Sequence, residues 1–135
     1  MNFGILGEAK IAREHVVPAI LNAGHKVTHV GRRIPGQVGL PEIYGNAIET
    51  DYETLINEPS VDAIYNPLPN HLHVPYSIEA LKADKHVLCE KPVALNLDEL
   101  SQLENAAKDS KAFFYEAFMV RSHPQWHWLK NLDIG

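Results

Sequence analysis

The sequence has little cysteine, no surplus of positive charge and no long apolar run. Cys89 is the single cysteine among 135 residues, so no internal disulfide can form, and this usage is typical of a reducing cytoplasm. The 12 Lys and Arg residues are outnumbered by 17 Asp and Glu residues, which argues against a surface for nucleic acid. No stretch approaches the ~20 apolar residues of a membrane span, and the start, "MNFGILGEAKIAREH", lacks a secretory pattern. These absences predict a soluble, cytoplasmic protein that binds neither nucleic acid nor membranes.

The length of 135 residues suits one domain. Short apolar runs alternate with helical patterns, which is typical of strand-helix-strand units in a parallel sheet. The predicted strands are 2–6, 26–31, 62–66, 86–89 and 112–116, with a weaker run at 46–48. The predicted helices are 9–22, 52–57, 72–83, 97–109 and 124–132. The pattern predicts an α/β fold, a doubly wound parallel sheet of Rossmann type, with a ligand crevice at the carboxyl ends of the strands.

The first strand end, in "FGILGEAKIA", carries a turn of small residues that leads into a helix. A dinucleotide fold needs small residues here, so that the N–H groups of the helix start can approach a pyrophosphate. Gly7, Ala9 and Ala12 occupy the positions of a G-x-G-x-x-G motif, of which only the first is glycine. Two interpretations stay open: a dinucleotide-binding turn, or a tight turn without a ligand. Glu8 favours the second, because its carboxylate competes with a phosphate for the positive helix end.

The second strand ends in "HVGRR", where an NAD-binding fold would carry an acid for the ribose 2′-hydroxyl. Gly31, Arg32 and Arg33 stand there instead. A guanidinium can bind a 2′-phosphate through two hydrogen bonds and can stack on adenine. This turn therefore favours NADP over NAD. The alternative is that one or both arginines merely cover a loop.

A later strand end reads "IYNPLPNHLH", in which Pro67 and Pro69 stiffen the exit from the strand. Four polar side chains are expected to cluster at the mouth of the crevice: Asn66, Asn70, His71 and His73. A histidine beside an asparagine is more often a helix cap or a surface group than a catalytic base. Chemistry alone therefore does not favour His73 as a base.

The stretch "HVLCEKP" sets an acid and a base before a proline at the end of an apolar run. The Lys91 ammonium could polarise a substrate hydroxyl or carbonyl, and Glu90 could keep that ammonium oriented and charged. Pro92 would hold the pair on a rigid turn. The alternative is a solvated ion pair after a strand. Cys89 is interpreted as a small buried residue rather than a nucleophile.

Taken together, "GILGEAKIA", "YNPLPNHLH", "KHVLCEKPVAL" and "EAFMVRSHPQ" resemble the N-terminal dinucleotide-binding domain of the Gfo/Idh/MocA oxidoreductases. The likeness covers the whole chain and is to the sugar and dihydrodiol dehydrogenases that use NADP. It implies hydride transfer between a sugar or polyol secondary alcohol and NADP, with NAD as the alternative cofactor and without a metal. It implies Lys91 as the catalytic residue, with Glu116 near the nicotinamide. The cofactor-binding residues that it implies are Gly7, Ala9, Lys10, Ile11, Arg32, Arg33, Asn66, Pro67, Leu68, Asn70, His73, Glu90, Lys91 and Arg121.

Three residues depart from the family pattern. Glu8 stands where a small or neutral residue is usual, and it is expected to lower the affinity for the cofactor. Gly31 replaces a common serine. Asp84 replaces a glycine, and because Asp tolerates left-handed backbone, this change is not expected to disturb the fold.

Family members continue after a segment like "LKNLDIG" into a second domain with the substrate pocket, a catalytic aspartate and histidine, and the oligomer interface. The chain is therefore expected to be one domain, 1–135, that lacks this second domain, either by excision or through a shortened gene. Whether it is an enzyme alone stays open, and the alternative is a truncated, non-catalytic nucleotide-binding or interaction module. A methyltransferase is disfavoured by "GRR". Trp126 and Trp128 offer an apolar surface that predicts a homo-oligomer.

Overall fold

In the computed structural model, which describes residues 1–132, six strands form one sheet in the order β3-β2-β1-β4-β5-β6. The strands are β1 (Asn2–Leu6), β2 (Lys26–Gly31), β3 (Ile48–Thr50), β4 (Ala63–Asn66), β5 (His86–Cys89) and β6 (Phe114–Glu116). Every neighbouring pair is parallel. The order reverses between β1 and β4, so the crevice opens beyond the carboxyl ends of these two strands. The predicted doubly wound sheet is confirmed.

Helices form the connections between the strands. They are α1 (Val17–Asn22), α2 (Tyr52–Asn57), α3 (His73–Lys82) and α4 (Leu97–Asp109), and α5 (Pro124–Lys130) follows β6. Short 3-10 turns lie at Glu42–Tyr44, Asn70–Leu72 and Met119–Ser122. A π-helical turn, Ala12–Val16, precedes α1.

The π turn interrupts the helix that the sequence predicts over 9–22. Pro18 has no N–H and cannot donate to the carbonyl four residues before it, so a regular α-helix cannot run through this position. The Val17 N–H instead donates to the carbonyl of Ala12, five residues earlier. The helix therefore continues through Pro18 with one widened turn.

Other boundaries differ from the prediction by a few residues. The weak run at 46–48 is displaced to β3 because the Ala47 N–H still bonds to Tyr44 of the preceding 3-10 turn. Helix α3 begins one residue later than predicted because a 3-10 turn occupies its expected start. The strand predicted at 112–116 is shortened because the Ala112 N–H donates to the Ser110 hydroxyl. The last helix ends at Lys130 rather than at 132.

Three helix ends carry local capping features. The Asn96 side chain accepts a hydrogen bond from the Glu99 N–H, 2.9 Å away, at the start of α4. Glu99 reaches back to the N–H of Leu95 rather than to that of Asn96. Gly24 and Asp84 adopt φ values of 79° and 57° after α1 and α3, so the left-handed conformation expected of Asp84 is present.

Apolar clusters cover the two faces of the sheet. The first cluster packs against α2, α3 and α4 and contains Leu6, Leu55, Ile64, Leu81, Val87 and Leu103. The second packs against α1 and the turn Glu42–Tyr44 and contains Ile5, Val17, Val30, Tyr44 and Tyr65. The second cluster covers β1, β2 and β4 but leaves the face near β5 and β6 open.

This open face carries an apolar cavity of about 800 Å³ between the first helix and β6. Ile11 and Leu88 line it together with Tyr115 and Phe118, which are 48% and 44% exposed. Trp126 and Trp128 of α5 are also exposed, as the sequence predicts. Among residues 1–132, no helix combines the length and apolar character needed to cross a membrane.

Two leucines of α4 test this assignment of the core. Leu103 is 2% exposed, whereas Leu97 on the same helix is 79% exposed. We expect Leu103→Ala to lower the free energy of unfolding by about 2–5 kcal/mol, because it removes buried methyl groups and leaves a cavity. The matched Leu97→Ala change should stay within about 0.5 kcal/mol. Urea denaturation followed by circular dichroism measures both, and equal losses would contradict the packing described.

Candidate functional site

The turn after β1 brings three strand ends together. Gly7 has φ = 85°, a left-handed conformation that favours glycine. Its N–H donates to the carbonyl of Gly31 at the end of β2, over 2.8 Å. A Cβ on Gly7 would lie 3.2 Å from a Leu68 methyl group in the turn after β4. Both the backbone angle and the close approach therefore require glycine here.

Asn66, at the end of β4, shapes the turn "NPLPNHLH" from inside the protein. Its side chain is fully buried, and its amide donates to the carbonyl of His73 at 3.1 Å and to the hydroxyl of Ser77 at 3.2 Å. Its carbonyl oxygen accepts from the N–H of Leu68 at 3.3 Å. Asn66 thus fixes the turn to helix α3.

His73 connects the β4 turn to the turn that follows β5. Its ring is 1% exposed, and its Nδ1 and Nε2 atoms lie 2.8 Å from the Pro92 carbonyl and 2.7 Å from the Leu68 carbonyl. Both nitrogens are occupied, so the ring is not placed to accept a substrate proton. The prediction that four polar side chains cluster at the mouth of the crevice is therefore corrected. Asn66 and His73 lie beneath the turn, while Asn70 and His71 are exposed.

The Glu-Lys-Pro turn does not contain the expected ion pair. Glu90 accepts a hydrogen bond from the Tyr65 hydroxyl at 2.8 Å, and its other oxygen lies 3.3 Å from the Lys91 backbone N–H. Within residues 1–132 the Lys91 ammonium pairs with no carboxylate and is exposed at the strand end. The Lys91–Pro92 peptide bond is cis. The buried tyrosine, not the adjacent lysine, therefore orients Glu90.

Glu116, at the end of β6, holds the same turn from the other side. Its carboxylate accepts a hydrogen bond from the N–H of Val93 at 3.1 Å. The N–H of Ala117 donates to the carbonyl of Cys89 at 2.7 Å. The backbone after β5 is therefore fixed against both neighbouring strands, which leaves Lys91 on a supported turn.

Burial controls the protonation of two groups beneath this turn. Burial, followed by the hydrogen bond to Glu90, raises the pKa of Tyr65, so its hydroxyl remains a donor. Burial also raises the pKa of Cys89 to about 12, and the charges of Glu90 and Glu116 add to the rise. A thiol that keeps its proton is a poor nucleophile. Cys89 is a buried, apolar-like residue, as the sequence indicates.

Arg32 lies between two carboxylates at the end of β2. Its Nη1 atom is 3.1 Å from Glu49 and also donates to the carbonyl of Val38, while its Nη2 atom contacts the carboxylate of Glu8. The side chain is only 13% exposed. Arg32 is therefore a bound group with defined partners rather than a solvated loop residue.

A cavity of about 540 Å³ adjoins this cluster. Gly7, Glu8, Arg13, Arg32 and Arg33 line its polar side. Sequence reasoning missed Arg13, although its N–H bonds to the Ala9 carbonyl one helical turn from the glycine motif, a spacing that places it near the turn. Three guanidinium groups at one cavity suit a phosphorylated ligand.

Tyr44 adds an unsatisfied group to this region. Its hydroxyl is buried and has no hydrogen-bond partner within residues 1–132. Burial raises the pKa of Tyr44 to about 12, the charge of Glu8 raises it further, and Arg13 and Arg32 act in the opposite direction. The hydroxyl therefore lies within electrostatic reach of all three charged groups.

A second cavity, of about 1010 Å³, lies on the other side of the two arginines. Arg33, Leu72 and His71 line it, and the rings of Tyr52 and Tyr76 meet edge to face with their centroids 5.2 Å apart. Aromatic and guanidinium surfaces of this kind accept a flat heterocycle. The two cavities meet at Arg32, Arg33 and Tyr52.

Other residues singled out from the sequence lie at or beyond these cavities. Lys10 is exposed and lies 3.9 Å from Glu14, and Ile11 faces the apolar cavity. Pro67 is buried beside Leu68 in the β4 turn. Arg121 is exposed in the 3-10 turn after β6, where its side chain has no hydrogen bond or ion pair within residues 1–132.

No metal centre is formed by the described part of the chain: within residues 1–132, no three His, Cys, Asp or Glu side chains are grouped to hold an ion. The site instead combines a glycine turn after β1, guanidinium groups after β2 and buried polar turns after β4 and β5. On a parallel sheet with this strand order, that combination defines a dinucleotide-binding domain of the Rossmann class.

Comparison with known families identifies the group within this class. Residues 1–118 match the GFO_IDH_MocA model, described as an oxidoreductase family with an NAD-binding Rossmann fold, and the chain belongs to this family. The resemblance drawn from the motifs is confirmed. The match favours an oxidoreductase domain over the alternatives of a non-catalytic module and a methyltransferase.

Several similar proteins are dehydrogenases or reductases of sugars. The chain is 37% identical to the D-xylose 1-dehydrogenase (NADP(+)) 2 of Haloferax volcanii over 92% of its own length and 39% of that protein. It is 41% identical to an uncharacterized oxidoreductase of Rhizobium meliloti, with coverages of 93% and 39%. It superposes with a TM-score of 0.87 and 31% identity on KijD10, a 3-ketoreductase from Actinomadura kijaniata in complex with TDP-benzene and NADP, covering 96% of this chain and 42% of that one. The chain thus spans about two fifths of the length of these proteins.

The buried thiol makes a test of the turn after β5. Because the pKa of Cys89 is raised from 9.0 to about 12, the thiolate is scarce in the folded protein below about pH 11. We expect iodoacetamide to modify native Cys89 very slowly between pH 7 and 9.5, and to modify it rapidly in urea. Mass spectrometry at timed intervals measures both rates. Fast native modification that rises with an ordinary thiol pKa would contradict the burial described.

Proposed function

We propose that this chain is the NADP-binding domain of an oxidoreductase that transfers hydride between a nicotinamide and a secondary alcohol of a sugar or polyol. The observation that carries the proposal is Arg32, held at the end of β2 beside the glycine turn and a cavity with two further arginines. The family match supports the reaction class. A relative that is a D-xylose dehydrogenase using NADP and a neighbour bound to NADP support the substrate class and the cofactor.

The residues present fit the cofactor from one end of the crevice to the other. Gly7, Ala9, Lys10 and Ile11 begin the first helix and would approach the pyrophosphate. Arg32 and Arg33 would take the 2′-phosphate and the adenine, since they line both cavities. The β4 turn would line the middle of the cofactor, with Asn70 at its surface and Asn66, Pro67, Leu68 and His73 buried beneath it. Glu90, Lys91 and Arg121 would lie toward the nicotinamide.

Lys91 is the residue to which we assign the chemistry. The bound cofactor would supply the hydride acceptor, and the Lys91 ammonium would donate a hydrogen bond to the substrate oxygen. In the structure this ammonium is exposed beyond β5, while the backbone beside it is held by the side chains of His73, Glu90 and Glu116. A supported turn with an unpaired lysine is the arrangement that polarising a hydroxyl requires.

The extent of the domain and its environment complete the proposal. We assign residues 1–135 to one nucleotide-binding domain and the substrate pocket to a part of the enzyme outside it. The exposed Tyr115, Phe118, Trp126 and Trp128 support association, and we infer a homo-oligomer in the cytoplasm. Net negative charge supports a small-molecule substrate rather than nucleic acid.

The cofactor assignment is tested by Arg32→Ala. We expect the affinity for NADPH to fall by about tenfold or more, because a charge-assisted hydrogen bond contributes about 1.5–3 kcal/mol, while the affinity for NADH changes little. Fluorescence titration gives both dissociation constants, and their ratio is insensitive to general damage to the fold. Lys111→Ala, an exposed charge before β6, is the control. Equal weakening of both complexes would refute the assignment.

Catalysis by the 135-residue chain itself is expected to be negligible. Holding the substrate carbon against the nicotinamide contributes about 7–11 kcal/mol to lowering the barrier, and this positioning is assigned to the substrate pocket outside the domain. Aldoses, inositols and dihydrodiols are supplied with NADP, and NADPH absorbance is followed. Binding without turnover is the expected result. Steady turnover that disappears in Lys91→Ala would mean that this domain is an enzyme by itself.

A further inference from the structure

We propose that Glu8 determines the cofactor specificity of this domain: its carboxylate occupies the edge of Arg32 that a 2′-phosphate needs, and it serves as the ribose acid when NAD is bound. The inference rests on the proposed binding of nicotinamide dinucleotides. Glu8 lies 24 residues before Arg32 and was expected from the sequence only to disturb a pyrophosphate at the helix start.

The two edges of the Arg32 guanidinium have different partners. Nη1 is held by Glu49 and by the carbonyl of Val38. Nη2 contacts the carboxylate of Glu8, and its other neighbour, the carbonyl of Gly39, lies at 3.5 Å, the limit of a hydrogen bond. A phosphate can therefore reach Arg32 with least disruption at Nη2, and to do so it must displace Glu8.

Charge explains why this displacement matters. Arg32, Glu8 and Glu49 together carry a net charge of −1, and their side chains are only 13–19% exposed. Arg13 and Arg33 at the same cavity attract a phosphate monoester of about −1.5 to −2, but the Glu8 carboxylate repels it at the Nη2 edge of Arg32 unless that carboxylate withdraws. Repulsion between partly buried like charges is screened much less than it is in water.

Glu8 also restores a group that the end of β2 lacks. A Rossmann domain that uses NAD carries an acid that accepts a hydrogen bond from the ribose 2′-hydroxyl, and "HVGRR" contains none. The contact with Arg32 brings the Glu8 carboxylate to this strand end from the turn after β1. Removing its charge should therefore favour NADP and disfavour NAD at the same time.

Glu49 does not share this role. Its carboxylate accepts a hydrogen bond from the N–H of Gly36 at 2.7 Å as well as from Arg32, so it fixes the loop after β2. Glu8 has no such second partner within residues 1–132, and it faces the cavity. Glu49 is thus a positioning residue for Arg32, and Glu8 is the exchangeable partner.

The Tyr44 hydroxyl is an unsatisfied group on which the charge of Glu8 acts. It is buried without a hydrogen-bond partner in the described part of the chain. A buried hydroxyl without a partner is costly.

The test is Glu8→Gln, which keeps the shape of the side chain and removes its charge. Dissociation constants are measured for NADPH and NADH by fluorescence and for 2′,5′-ADP and ADP by calorimetry. We expect affinity for NADPH and 2′,5′-ADP to rise about tenfold, affinity for ADP to rise little, and affinity for NADH to stay the same or fall. Glu104→Gln, an exposed acid on α4, is the matched control and should change none of them.

Two further variants separate this inference from the proposed function. Glu49→Gln should weaken NADPH binding, because Arg32 loses its anchor, and Glu8→Gln should bring no gain in an Arg32→Ala background. If the domain binds dinucleotides but Glu8→Gln leaves the ratio of NADPH to NADH affinities unchanged, the inference about Glu8 is overturned and the proposed function stands. Absence of all dinucleotide binding, in the wild type and in Glu8→Gln, would overturn the proposed function together with it.

Discussion

The buried hydrogen bonds of Asn66 and His73 are the constraint on which the crevice depends. Asn66 ties the β4 turn to α3, and His73 joins that turn to the Pro92 carbonyl after β5. Both side chains are almost inaccessible, so losing either partner would leave a polar group unsatisfied at a cost of about 1–3 kcal/mol. The same bonds fix the Leu68 side chain against Gly7 and the backbone beside Lys91. The positions of the cofactor-binding turn and of the proposed catalytic lysine are therefore consequences of one polar network.

The charged cluster at β2 is built by a different principle. The network below β4 is made within the protein interior, whereas Arg32 is shared between Glu49, which also holds the loop, and Glu8, which faces a cavity. Internal carboxylates keep the guanidinium ordered before a ligand arrives, which reduces the entropy lost on binding. The same carboxylates also compete with an anionic ligand for the guanidinium. A protein can thus tune its preference between two cofactors through the partner of the arginine without changing the arginine itself.

The strands, the doubly wound parallel sheet and the glycine turn could be predicted from the sequence, because they depend on local periodicity and on single residues with special backbone angles. The sequence did not predict that Glu90 bonds to the Tyr65 hydroxyl rather than to the Lys91 ammonium. Nor did it predict that Glu8 and Glu49 pair with Arg32. These partners are 25, 24 and 17 residues apart, and only the fold brings them together. The π turn was missed for a related reason, since Pro18 normally suggests a helix start rather than a widened turn. Spacing in a sequence indicates which groups line a strand end, but not which of them pair.

The two ends of the crevice differ in how much of the proposed site this domain supplies. At the proposed adenosine end, cavities of about 540 and 1010 Å³ are lined by guanidinium and aromatic groups of this domain, which suit recognition of a dinucleotide. At the other end, Lys91 is exposed, and Glu90 borders an apolar cavity of about 800 Å³ that is open toward Tyr115 and Phe118. An open apolar wall excludes little water, and hydride transfer benefits from a closed site in which electrostatic interactions are strong. Under the proposed function, affinity for the cofactor is therefore expected to be a property of this domain, and the rate of hydride transfer is expected to depend on a surface that closes over Lys91.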